Sequence, residues 1–435
     1  MARSHPRVRR NELFGNGIAT IAAFGTYFAM YAFRKPFTAA AFAEPGWFAN
    51  DRKTELVIAQ VIGYTVSKFV GIAIVAAMPR ERRALWLLGL IAIAELALAG
   101  FAVAPAPWDM VCLFLNGLPL GMVFGLVLSF LEGRRHTEAM AAGLCASFIV
   151  ADGAMKSIGS WLLAMGVSER WMPCTAGLLF ALPLAIGVAA LKRVPPPSEA
   201  DVESRSERVP MTRQDRRQFF ARYAPGLVLL VIAYLAITIL RSLRADFSPE
   251  LWRQLGHPAA PSDFTSSELL VAVGVLIATG CTVLIRDNRR AFAVAIGLGI
   301  SGLLLCLFAI SARSAGNLDG FAFQVTIGLG LYLPYVAVHT TIFERLVAIT
   351  RDRSNVGFLM YLADSFGYLG YVAVMMSRGS LRGRDDLLVF FTSTTWVTAI
   401  VGSGCFAFAG WWLLRKTNRL AGQKGEDPAT QPSTS

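Results

Sequence analysis

Charge is scarce in this chain. Only 16% of its 435 residues are Asp, Glu, Lys or Arg, against 55% hydrophobic, and the mean hydropathy is +0.52. That balance excludes a soluble domain of this length. Histidine is rarer still: His5, His136, His257 and His339 are scattered over separate loops and spans, without the spacing of a metal site or a catalytic triad. No Gly-x-x-x-x-Gly-Lys-Ser/Thr string occurs, so direct ATP drive lacks its phosphate loop. The six cysteines, Cys112, Cys145, Cys174, Cys281, Cys306 and Cys405, contain no Cys-x-x-Cys pair and fall in or beside apolar stretches, as packing residues do. The sequence therefore calls for no metal, no cofactor and no enzyme chemistry. The formal charge of +12 does not imply a nucleic-acid partner, because no soluble basic domain exists to bind one.

What the chain has in abundance is apolar length. About 20 residues cross roughly 30 Å of hydrocarbon, and such runs lie near 14–43, 55–78, 84–104, 108–131, 139–165 and 172–191, then near 224–247, 266–285, 291–311, 318–348, 355–377 and 389–414. These predict an all-α integral membrane protein with twelve transmembrane helices in two pseudo-symmetric six-helix bundles. The expected divisions are an N-terminal bundle over 1–192, a cytoplasmic linker over 193–222, a C-terminal bundle over 223–416 and a disordered tail over 417–435. The linker holds Pro195-Pro196-Pro197 and a dense run of Ser, Glu, Asp and Arg that no bilayer core accepts. Of the 41 Lys and Arg, 27 lie on the two tails and the even-numbered loops and 10 on the odd-numbered loops. By the positive-inside rule both termini are then cytoplasmic, in a multi-pass inner (plasma) membrane protein. Arg7, Arg9 and Arg10 before an apolar run resemble the start of a secretory signal, but the run is too long and Arg34-Lys35 interrupts it.

The two halves repeat. One offset of 207 residues carries Tyr27 onto Tyr234, Arg34 onto Arg241 and Arg82-Arg83-Ala84 onto Arg289-Arg290-Ala291. A cation in a bilayer costs roughly 2.5 to 3.5 kcal/mol on insertion scales, so two at matched positions need a shared reason, and an anion held between the halves is one. Snorkelling to the headgroups does not require the match. Past Pro36 the sequence turns apolar again, which puts Arg34 inside a first helix that continues, with a kink, to Ala43. Lys68 falls near the middle of the second span. Asp152 and Lys156 are one helical turn apart on the fifth and are spaced to neutralise one another. Asp364 is mid-span in the eleventh, where its partner must come from another helix. Glu268 reads as an interfacial charge and His339 as a packing histidine. Within the spans, Arg34, Lys68, Lys156 and Arg241 outweigh Asp152 and Asp364 by two, which a dianion balances; guanidinium holds phosphate or carboxylate oxygens with paired, charge-assisted hydrogen bonds.

At these residues the chain resembles the organophosphate:phosphate antiporter branch of the major facilitator superfamily. The similar pieces are Tyr31-Ala32-Phe33-Arg34-Lys35-Pro36-Phe37, Tyr64-Thr65-Val66-Ser67-Lys68-Phe69, Arg241 with Asp246-Phe247-Ser248-Pro249, and Phe366-Gly367-Tyr368-Leu369-Gly370. The resemblance implies that Arg34 and Arg241 grip the substrate phosphate from opposite bundles, with Lys68 adding charge to the pocket; Tyr31, Tyr64, Lys156 and Tyr368 are further substrate-binding candidates. It also implies alternating access by rocking of the halves. Departures accompany it: Asp152, followed by Lys156, stands near the fifth-helix histidine of that family, Pro36 replaces a polar position, and the cytoplasmic Gly-x-x-x-Asp-Arg pattern is eroded to Met78-Pro79-Arg80-Glu81-Arg82-Arg83. The expectation is a monomeric secondary transporter of a small anionic solute, foremost a phosphate ester exchanged for inorganic phosphate, with Asp152 and Asp364 as coupling residues. Proton-coupled symport of a carboxylate or other anion, and a transporter-like sensor signalling through the linker, are the alternatives.

Overall fold

The computed structural model describes residues 6–48, 51–131, 137–195, 213–350, 356–380 and 387–425. Helices account for nearly all of them, and no strand occurs among the described residues. In chain order they are α1 (Pro6–Met30), α2 (Arg52–Ala77), α3 (Arg80–Val103), α4 (Trp108–Leu131), α5 (Thr137–Ala164), α6 (Met172–Lys192), α7 (Arg213–Asp246), the short α8 (Ser248–Gln254), α9 (Pro261–Val283), α10 (Asn288–Ser314), α11 (Gly320–Ala337), α12 (Phe343–Thr350), α13 (Val356–Ser380) and α14 (Leu387–Gly425). Nine spans among the described residues are long and apolar enough to cross a membrane, and one of them, Gly320–Thr350, is α11 and α12 joined by a π turn. The remaining long helices, α1, α2 and α13, have 25, 26 and 25 residues, each about 37 to 39 Å of helix, and they complete twelve crossings.

Helices α1 to α6 pack on one another and α7 to α14 do likewise; the two groups meet where α5 lies on α9 and α2 on α13. The outward faces of α3 and α6 carry exposed Leu85, Ile93, Leu96, Leu178, Leu182 and Ile186. In water such a surface drives aggregation, whereas lipid tails solvate it. Within the groups the core is aliphatic and aromatic, and it is continuous from α1 to α14.

The first crossing departs from the sequence expectation. Helix α1 ends at Met30 and gives way to two 3-10 turns, Tyr31–Phe33 and Pro36–Ala39. Pro36 has no backbone N–H to donate to the carbonyl of Ala32, and its ring crowds that carbonyl, so a regular helix cannot run through it where a kink alone was expected. The freed backbone groups are buried and need partners. Asn116 on α4 donates to the Phe33 carbonyl at 3.0 Å and to the Ala94 carbonyl at 3.0 Å, while Gln60 on α2 donates to the Arg34 carbonyl at 3.1 Å and to Asn116 Oδ1 at 2.8 Å. Irregular backbone at membrane depth persists only when satisfied in this way. The second half has no proline at the matching point, and α7 runs unbroken through Arg241. The repeat therefore places two arginines on differently shaped supports.

Two other boundaries differ from those expected. Helix α7 begins at Arg213 and takes up the last ten residues of the region assigned to a linker, because Arg213–Arg222 contains neither Gly nor Pro and buries Phe219. Helix α14 passes Lys416 and reaches Gly425, so the first part of the expected disordered tail is helical, with Thr417 buried against the Leu413 carbonyl. Linker residues 196–212 and tail residues 426–435 lie outside the described residues.

Replacing Asn116 with Ala should strand the carbonyl of Phe33, while that of Ala94 keeps its bond within α3. A loss of about 1 to 3 kcal/mol is expected for such an orphaned group, read as a lowered midpoint of thermal unfolding in detergent. An unchanged midpoint would mean that the turn does not depend on Asn116.

Candidate functional site

Between the two groups of helices lies a cavity of about 20 Å³, room for roughly one water molecule. One wall is made by Tyr27, Tyr31, Tyr64, Lys68, Phe124 and Phe148 from α1 to α5, the other by Arg241, Tyr335, His339, Asp364 and Tyr368 from α7 to α13. Five of the ten tyrosines of the chain line it, and Tyr64 meets Tyr368 edge-on across it with ring centroids 5.0 Å apart. Each ring gives the cavity an apolar face and a polar tip. His339 reaches it from the π turn Val338–Ile342, where α11 gains a residue and re-aims its side chains.

Arg34 and Arg241 are both buried, at 5% and 7% exposure. Among the described residues neither makes an ion pair with a carboxylate. The Nε of each also lacks a hydrogen-bond acceptor. Both instead lie over tyrosine rings: the Arg34 guanidinium carbon is 4.0 Å from the Tyr64 ring centre, and that of Arg241 is 4.5 Å from Tyr335. Arg241 also donates to the Tyr368 hydroxyl at 3.3 Å. Cation–π contacts of this kind contribute about 0.5 to 2 kcal/mol, less than the several kcal/mol it costs to bring an ion out of water. Arg34 does not line the cavity itself but sits behind Tyr64, which does.

The other charges are matched. Lys68 pairs with Asp364 across the interface at 2.7 Å, and Asp364 also accepts from the Tyr234 hydroxyl and lies 3.4 Å from His339 Nε2. The partner that Asp364 required from another helix is thus Lys68, and His339 is on the cavity wall as well as packed. A second cluster lies towards the membrane face opposite the termini. There Lys35 bridges Asp152 at 3.2 Å and Asp246 at 2.5 Å, Lys156 pairs with Asp152, and Tyr371 donates to Asp246 at 2.9 Å. Arg244 pairs with Glu268 at 2.6 Å, so Glu268 is a buried ion-pair member and not the interfacial charge its position suggests. Farther out, Lys53 joins Glu250 of α8 at 2.6 Å. Helices α5 and α9 touch here so closely that a Cβ on Gly153 would stand 2.2 Å from the Phe264 carbonyl oxygen. The bundles are therefore laced together on this side.

Of the residues singled out from sequence, Tyr31, Tyr64, Lys68, Arg241, Asp364 and Tyr368 meet at one cavity, Arg34 stands one ring behind it, and Asp152 with Lys156 belongs to the outer cluster. Lys35, Asp246, Arg244, Glu268, Tyr335 and Tyr234 were not singled out as members of the buried network. Lys35, Asp246 and Arg244 lie near the ends of the first and seventh spans, where a charge is ordinary, and Glu268 read as an interfacial charge. Counting these in, six buried cations (Arg34, Lys35, Lys68, Lys156, Arg241 and Arg244) face four carboxylates (Asp152, Asp246, Glu268 and Asp364). The excess of two positive charges survives the correction, and it resides on the two arginines.

Changing Asp364 to Ala should leave the Lys68 ammonium buried without its carboxylate, a loss of about 3 to 5 kcal/mol. Lys68→Met in the same chain should restore most of it. A double-mutant cycle on thermal unfolding in detergent measures the pair, and strictly additive losses would show that the two residues do not interact.

A family model described as a family of unknown function, DUF5690, matches residues 36–416. No curated protein matches the sequence. Among solved structures, one titled as the crystal structure of a D-xylose-proton symporter aligns over 91% of this chain and 97% of its own, with a TM-score of 0.60 at 13% sequence identity. At that identity the likeness concerns the fold, which is the two-bundle architecture of the major facilitator superfamily.

Proposed function

We propose that this chain, which belongs to the DUF5690 family and carries the major facilitator fold, is a secondary active transporter of a small anionic solute. The foremost substrate in this reading is a phosphate ester exchanged for inorganic phosphate. The observation that carries it is the pair of buried arginines, one from each bundle, left without carboxylates while every other cation in the network has one. A divalent anion supplies the missing charge. It also supplies several acceptor oxygens, and only an ion reached from both sides draws the two bundles together.

The cavity as described is too small for such a solute. Binding therefore requires the bundles to separate on one face, and the lacing by Lys35, Asp246, Lys53 and Glu250 makes the face bearing the termini the easier one to open. By the charge bias of the loops that face is the cytoplasmic one. A substrate that joins Arg34 and Arg241 lowers the energy of the closed arrangement, from which the other face opens.

A second reading, proton-coupled symport of a carboxylate or another organic anion, draws support from Asp364, His339 and Tyr234, which meet at the cavity wall. The similar fold of a protein titled as a proton symporter is compatible with it.

In liposomes loaded with phosphate, external labelled phosphate should exchange. Arg34→Lys and Arg241→Lys should each slow exchange by about 10- to 100-fold, the worth of a charge-assisted hydrogen bond, with folded yield intact. Wild-type rates in both variants would reject the two-arginine site. Uptake driven by an imposed pH gradient without internal phosphate would favour the second reading.

A further inference from the structure

One half-buried acid stands apart from every network described above. Glu95 is on α3, about 22 Å of helix from Arg80 and about 12 Å from Val103, and so lies within the hydrocarbon. Its Oε2 is buried with no hydrogen-bond partner, and its Oε1 accepts only from the Cys174 thiol, at 3.2 Å. No ion pair reaches it among the described residues. The niche is shaped for the group: a Cβ on Gly177 of α6 would stand 2.1 Å from Oε2, and the Phe33 ring closes the same space. The surroundings can be named element by element. From α6 comes Cys174, the one titratable group in contact. From α4 comes the uncharged Asn116, while the acid of that helix, Asp109, is held by Arg52 and Arg170 at its far end. From the turn after α1 comes Phe33, one residue before Arg34.

A bare carboxylate in such a niche has neither a cation nor donors to replace water, and a proton relieves the mismatch. The position matters as well. Asn116 ties the carbonyl of Ala94, the residue before Glu95, to the carbonyl of Phe33, so α3 and the turn that carries Arg34 share one hydrogen-bonding hub. We propose that Glu95 is a proton-binding site, occupied in the conformation described here, and that loss of its proton disturbs the turn presenting Arg34. Protonation converts the carboxylate to a neutral carboxyl group with no other bond made or broken. The first half of this proposal is independent of the transport reading, and the second rests on it.

Dicyclohexylcarbodiimide, which modifies protonated carboxyl groups in apolar surroundings, separates the two halves. Applied to the purified full chain, it should label Glu95 as read by peptide mass spectrometry, and labelling should fade as pH rises. An unlabelled Glu95 at every pH overturns the proposal, whatever the protein transports. Inorganic phosphate binding, measured by calorimetry over the same pH range, tests the second half. The ratio of wild-type to Glu95→Gln affinity removes phosphate's own titration; it should fall several-fold as pH rises, and a constant ratio overturns the link to Arg34. If neither protein binds phosphate, the transport reading and with it the second half fail, while labelling still decides the site.

Discussion

The structure depends on charge compensation at low dielectric. An ion held among helices loses its hydration and must recover it from an opposite ion, from donors or from aromatic faces. Lys35, Lys68, Lys156 and Arg244 recover it from carboxylates, three of them within the bundle interface and one on the flank of α9. Among the described residues, Arg34 and Arg241 recover it from tyrosine rings and from the Tyr368 and Ser242 hydroxyls. The fold thus maintains an unfinished electrostatic arrangement at its centre, and the surrounding matched pairs confine that imbalance to two guanidinium groups.

A second constraint is that the backbone too must be satisfied. Breaking α1 after Met30 allows Arg34 to emerge from a turn, and Gln60 and Asn116 make the break tolerable. Arg241 reaches the same region from an unbroken helix. One arginine is therefore held through polar side chains on two neighbouring helices and the other by the stiffness of its own helix, although the sequence repeat presents them as equivalents.

The helical membrane architecture was legible in the sequence because it rests on apolar length and repetition, which do not depend on distant partners. Arg34, Lys68, Arg241 and Asp364 stood out for the related reason that each interrupts an apolar run. Lys35, Asp246 and Glu268 did not, since they lie near span ends where a charge is ordinary; only the approach of α5 to α9 and of the Pro36 turn to α7 makes them buried partners. Glu95 also interrupts an apolar run, the third span, but no charge in the other half matches it. The early end of α1 was hidden by apolar residues on both sides of Pro36, and the helical start of α14's tail by its polarity, although no proline interrupts it before Pro428.

The closed cavity has a consequence for turnover. If the chain carries an anion as proposed, tyrosine rings shield the two arginines only in part when none is bound, so an unladen protein meets a steeper climb between its two orientations than a laden one. On the proposed exchange reading, a carrier built in this way makes empty return journeys slowly. Cargo waiting on the far side would then set the pace, and the gradient of one solute would become the engine for moving another.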